Sequence, residues 1–162
     1  MSDLAGHPSY LGVAVDRLRA AFGDNLVGVV LYGSHARGEA RPESDADLLV
    51  IAEGLPERRY DRVFFLQRLV RGIDGAPDLS LLGKTTEEFE GYFPSLYLDI
   101  GLDGVLLHDR DGYTAARLGR VREIIAQAGL SRRRLKGGLD WNWERPPQLH
   151  WEITWDGFRE LA

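Results

Sequence analysis

The chain has 162 residues, 44% of them apolar, which is enough for one domain with a hydrophobic core. It has no cysteine, which excludes a disulfide framework, a thiol nucleophile and a Cys-ligated zinc site, and which suits a reducing cytoplasm. Its net charge of −5, from 25 acidic and 20 basic residues, argues against broad coating of nucleic acid, which needs a basic face.

The N-terminal MSDLAGHPSY lacks the basic and apolar regions of a signal peptide, and no apolar run approaches the length of a membrane span. A soluble cytoplasmic protein without a membrane partner is the expectation. Leu11, Val15, Leu18 and Phe22, at spacings of four, three and four, predict one apolar face of a helix over 8–22, ended by Gly23. An apolar strand follows over 27–32, then Gly33-Ser34, ten mostly small or polar residues, and a second apolar strand over 45–51 opened by Asp45 and Asp47.

That spacing carries chemistry. Side chains two apart on a strand project from one face, so Asp45 and Asp47 lie about 7 Å apart along the chain. Carboxylates that close repel each other in a dry site unless a cation lies between them, and Mg²⁺ or Mn²⁺, which completes its shell from water and substrate phosphate, is the fitting ion. Gly33 lets backbone approach a phosphate without a Cβ in the way. Ser34 offers a hydroxyl and an N–H at the start of a predicted short helix over 34–37, and Arg37 adds a charge for a phosphate. Either fragment alone is more often a turn or a solvated strand end. Together, the four fixed positions recur by chance about twice per thousand chains of this length.

Downstream, Pro56 suits the first turn of a helix over 56–71, with Val63, Leu66, Val70 and Ile73 as its buried stripe. Residues 73–77 read as a turn, and Asp78 opens a third apolar stretch, DLSLLG. Thr85 and the acids after it mark a helix start leading through Phe89 and Phe93, Pro94 ends it, and a further helical piece spans 95–102. A short strand over 104–108 precedes a turn and a helix over 113–128, with Leu118, Val121, Ile125 and Ala128 inward and Gly129 closing it. His108 reads as structural, since no second His or Cys stands at metal spacing. Asp99 and Asp103 are either supports of the site or surface caps.

Seven basic residues between Arg117 and Lys136 face one acid, Glu123, as a solvated face or as a docking patch for an acidic partner or an RNA backbone. All four tryptophans (Trp141, Trp143, Trp151, Trp155) fall in the last 22 residues. Alternation in LDWNW and LHWEITW predicts the two strands of one hairpin with the aromatics on one face, covering the core or offering a stacking or docking surface.

LYGSHARGEARPESDADLLV, with Gly33-Ser34, ten residues and Asp45-Ala46-Asp47, resembles the signature of the DNA polymerase β nucleotidyltransferase superfamily, in particular its minimal nucleotidyltransferase branch. The resemblance implies an α/β (α+β) fold with a short mixed β-sheet flanked by helices, on one side of it, to which the chain adds its C-terminal Trp-rich β-hairpin. Residues 1–130 form the nucleotidyltransferase domain and 131–162 a basic, Trp-rich extension packed on it. The resemblance further implies a nucleoside triphosphate, ATP first, held by Gly33, Ser34 and Arg37, and two metal ions held by three carboxylates. Asp45 and Asp47 supply two. A strand beside theirs would bring Asp78 near as the third, with Asp74, in the turn, as the alternative.

The implied reaction is transfer of a nucleoside monophosphate to a hydroxyl with release of pyrophosphate. In this branch the acceptor is often a tyrosine of a HEPN-domain toxin, which makes such a protein the partner and this chain its antitoxin. A small aminoglycoside-like acceptor and a non-catalytic nucleotide- or partner-binding module are the alternatives. A homo-oligomer is compatible with each of these readings.

Overall fold

Strands β1 (Leu26–Tyr32) and β2 (Ala46–Ala52) are apolar almost without interruption, where a strand with one wet face would alternate. The structure, a computed structural model, describes residues 4–161, and both faces of these strands are covered in it. Met1 to Asp3 and Ala162, which belong to the N-terminal and C-terminal segments read from the sequence, lie outside the described residues.

Val29, Leu31, Leu48 and Val50 pack under α1 (Ser9–Phe22) and α2 (Arg59–Val70). From the other face, Val27, Val30, Leu49 and Ile51 meet Phe89, Tyr97, Ile100 and Leu118 of α3 (Thr86–Gly91), α4 (Leu96–Asp103) and α5 (Tyr113–Ala128). Helices therefore lie on both sides of the sheet, not on one as the resemblance implied, because a strand apolar on both faces must bury both. The sheet is completed by β3 (Leu79–Lys84), parallel to β2, and β4 (Val105–Asp109), antiparallel to β1, in the order β3-β2-β1-β4. It is a short mixed sheet flanked by helices. No helix among the described residues is long and apolar enough to cross a membrane.

Local signals act as chemistry predicts at α3. The Thr85 side chain accepts from the Glu88 N–H, and the Glu88 carboxylate accepts from the Thr85 N–H, a complete capping box. Glu88 also takes both terminal nitrogens of Arg62, at 2.6 and 3.0 Å, which ties α3 to α2. The helix α2 departs from expectation. It starts at Arg59, and of the predicted stripe within it Val63 is 46% exposed while Leu66 and Val70 are buried. The reason is position: α2 packs on α1 and on the edge strand β3, so only a narrow stripe meets apolar neighbours. In α5 the inward residue is Ile124, not Ile125.

The C-terminal segment forms hairpins, but the two Trp-bearing strands do not pair with each other. β5 (Leu130–Leu135) pairs with β6 (Gly138–Trp143), and β7 (Trp151–Thr154) with β8 (Gly157–Glu160). Each closes through a two-residue loop, Lys136-Gly137 and Trp155-Asp156, with Gly138 and Gly157 at positive φ. Two-residue loops followed by a glycine select tight hairpins over a long-range pairing. Trp155 covers the core: its ring lies 5.1 Å from Phe89 and 5.0 Å from Phe93, and its indole N–H donates to the Phe89 carbonyl at 3.0 Å. Trp143 and Trp151, 4.9 Å apart, join the two hairpins.

Candidate active site

A close backbone approach to a carboxylate occurs at Gly33, which directly follows the interior strand β1. Its φ is +76°, and a Cβ there would stand 2.5 Å from Asp47 Oδ2, so any other residue would strain the turn and push the carboxylate aside. Asp47 is the register partner of Tyr32 on β1 and of Ser80 on β3, which centres it between two strands. Strand alternation puts Asp45 on the same face. The turn after Gly33 is a single helical turn, with the Arg37 N–H on the Gly33 carbonyl at 3.2 Å, rather than the short helix expected over 34–37. The His35 ring, 3.0 Å from the Ser44 carbonyl, closes the loop back toward Asp45.

Burial, and then the charge of Asp45, pushes the Asp47 carboxyl above the ordinary carboxylate range, while His35, the Ser80 side chain and Arg37 act against it. Burial, helped by the Asp47 charge, raises the Tyr32 hydroxyl to about 12. Among the described residues neither Asp45 nor Asp47 has an ion-pair partner, although Arg37 is near enough for its charge to be felt. Arg37 is turned instead to Glu39 and Asp103. Two hard oxygen donors on one face without a counter-charge are a donor set suited to Mg²⁺ or Mn²⁺.

Asp78 stands immediately before β3, exposed, and its carbonyl accepts the Ala46 N–H at 2.9 Å. Its backbone is thus beside the Asp45–Asp47 segment. Asp74 is exposed in the preceding turn. Among the described residues no three His, Cys, Asp or Glu side chains gather closely enough to hold a metal ion, so the structure brings together Gly33, Ser34, Asp45 and Asp47 but not a closed carboxylate triad. The Ser34 hydroxyl has no partner among the described residues.

Sequence reasoning did not single out Tyr32, Ser80 or His35. Two of them were within reach: Tyr32 directly precedes Gly33, and Ser80 is the one polar side chain within the apolar LSLLG. Both line a cavity of about 680 Å³ that runs along β3 past Arg62, Leu82 and Lys84 to Leu96. Asp99 and Asp103, read as supports or caps, are engaged by Arg132.

The model of the family described as nucleotidyltransferase domain matches residues 14–99. A Methanocaldococcus jannaschii protein, provisionally named a protein adenylyltransferase, is 35% identical over 123 residues, 68% of this chain and 78% of its own. Among solved structures, the complex of a tri-AMPylated Shewanella oneidensis HEPN toxin with its MNT antitoxin matches with a TM-score of 0.50 at 16% identity, over 73% of this chain and 85% of that one. Spectinomycin adenyltransferase from Enterococcus faecialis, solved with ATP and spectinomycin, matches with a TM-score of 0.50 at 14% identity, over 74% of this chain and 65% of that one. At those identities the two structures share the fold.

Proposed function

The chain belongs to the nucleotidyltransferase domain family and is a nucleotidyltransferase, and on that premise we propose that it moves AMP from ATP to a hydroxyl of a partner protein, releasing pyrophosphate. The observation that carries this reading is the uncompensated Asp45 and Asp47 carboxylates, one of them half-buried against the Gly33 turn. Backbone N–H groups of that turn and the Ser34 hydroxyl receive phosphate oxygens, and Arg37 adds positive charge. The acceptor oxygen attacks the α-phosphorus, the bond from that phosphorus to the oxygen bridging to the β-phosphate breaks, and pyrophosphate carries that electron pair away. Asp78, at the entrance of β3, takes the acceptor's proton. Asp45 and Asp47, with Asp78, would hold Mg²⁺ or Mn²⁺; when bound, the ion offsets charge on the transferring group and lowers the pKa of the acceptor hydroxyl.

A protein acceptor is supported by the name of the Methanocaldococcus relative and by the AMPylated toxin in the Shewanella complex, and it makes a HEPN-type protein the partner to try first. A small hydroxylated acceptor has only the fold match to the spectinomycin enzyme behind it.

The test is incubation of the full chain with α-labelled ATP, CTP, GTP or UTP and Mg²⁺ or Mn²⁺, with and without the product of the adjacent gene, beside the Asp47→Ala variant. Label from ATP on that protein, absent with the variant, is the expected result. Label on a small hydroxylated compound instead would transfer the reading to the second acceptor class. Absence of label on every acceptor, despite nucleotide binding, would sink the transfer reading.

A further inference from the structure

A chain of ion pairs outside the carboxylate pair runs from the β5–β6 hairpin to the turn after Gly33. Arg132, on β5, donates to both oxygens of Asp103 at 2.6 Å and to Asp99 at 2.9 Å. The Arg132 and Asp103 side chains are each only 11% exposed. Trp141, opposite Arg132 in register, donates its indole N–H to the same Asp99 oxygen at 3.1 Å, and its ring lies 5.6 Å from the guanidinium. Asp103 Oδ2 then accepts from Arg37 NH1 at 3.3 Å. From the other side, Arg37 Nε donates to Glu39 at 3.0 Å, and Glu39 is paired with Arg134, also on β5.

These contacts grip Arg37 on two edges and leave a third. An arginine has five N–H donors in a planar fork. Here Nε and NH1 are engaged by carboxylates, and NH2 has no partner among the described residues. The backbone of Arg37 is itself fixed to Gly33. A long side chain that would otherwise sample many rotamers is thus held beside the phosphate-binding turn with one face of its fork open. Hydrogen bonds from Arg134 and then Arg37 hold the Glu39 carboxyl below its ordinary range, so it is charged and serves as an anchor at neutral pH.

We infer that the β5–β6 hairpin is a positioning element for nucleotide binding: Arg132, through Asp103, and Arg134, through Glu39, fix Arg37 so that its free NH2 meets the triphosphate. This rests on Arg37 being a phosphate ligand, and it goes further by giving the C-terminal extension a part in the affinity for the donor nucleotide. Arg132 and Arg134 touch no reacting atom; they act through Arg37.

The test is a double-mutant cycle on the full chain, titrating a non-hydrolysable ATP analogue with Mg²⁺ into the wild type, Arg132→Gln, Arg37→Ala and the double variant, with melting curves to confirm folding. Arg132→Gln is expected to weaken binding about tenfold in the wild-type background and not at all with Arg37→Ala, the behaviour of coupled neighbours. Turnover should show a KM for nucleotide raised by the same factor with kcat nearly unchanged, and Arg132→Lys should restore part of the loss. Should Arg132→Gln fail to fold, Arg134→Gln, whose side chain is 60% exposed, takes its place in the cycle, with an expected loss of about threefold. Equal losses with and without Arg37, or affinity unchanged by every variant, would overturn the inference while leaving the nucleotidyltransferase reading intact. A wild type that binds no analogue would overturn both.

Discussion

Two pairs of aspartates in this molecule sit in opposite electrostatic circumstances. Asp99 and Asp103, four apart on α4, share one face of a helix and are neutralised by Arg132, with Arg37 adding a second contact to Asp103. Asp45 and Asp47, two apart at the start of β2, share one face of a strand and are left without a counter-charge, although Arg37 lies close enough to act on Asp47 electrostatically. Paired carboxylates in a low-dielectric site hold elements in place, whereas close carboxylates kept unpaired cost stability and persist where a cation or a reacting group completes them. On the proposed reading, the difference separates scaffold from site within a single fold.

The comparison breaks most visibly if the unpaired set proves dispensable. Asp45→Asn and Asp47→Asn should each lower nucleotidyl transfer by at least about a thousandfold while circular dichroism stays that of the wild type. Transfer retained by the double variant would remove the site from the molecule. The paired set should behave in the reverse sense. Asp103→Ala leaves Arg132 with Asp99 as its remaining carboxylate partner and should cost about 1–2 kcal/mol, lowering Tm by about 2–8 °C. A Tm within a degree of wild type would mean that the pair carries no structural weight.

The smallest effect sharpens the contrast through pH. The Arg62 hydrogen bonds hold the Glu88 carboxyl below its ordinary range, so the folded state binds that proton less readily than the unfolded chain. The stability this contributes is present above the ordinary carboxylate pKa and is lost as pH falls through the folded value. Melts between pH 6 and pH 3 should therefore show a steeper acid loss in wild type than in Glu88→Gln. The gap should be no more than a degree or two, because the pair is partly solvated. Parallel curves would show that the Arg62 pairing contributes nothing to the docking of α3 on α2.

Much of this was legible in the residues. Helical periodicity located α1 and α5, the Thr85 cap located α3, and the break at Pro94 set off the piece that forms α4. The apolar runs of LVGVVLY and ADLLVIA located the central strands, but their lack of alternation, which marks strands covered on both faces, was passed over in the expectation of helices on one side. The pairing of the tail was not legible, because alternation of Trp in LDWNW and LHWEITW gives each strand its face but not its neighbour. Lys136-Gly137-Gly138 and Asp156-Gly157, turn signals inside the segment, were the better guide. Val63 was misplaced for a related reason: a stripe at helical spacing shows which side of α2 is apolar, not how much of that side other elements reach.

What the sequence by itself determined is the chemistry on offer. Gly33-Ser34 and Asp45-Ala46-Asp47 are local patterns, and strand geometry alone forces the two carboxylates onto one face behind a turn that glycine makes so close without strain. The tertiary structure decided which charges remain available. Asp99 and Asp103 are carboxylates like Asp45 and Asp47, and nothing local distinguishes them. Arg132 reaches the α4 pair from 33 and 29 residues downstream, because α5, packed against α4, leads into β5. No such partner is delivered to the β2 pair, and since electrostatic pairing depends on distance in space rather than along the chain, only the fold could separate the two.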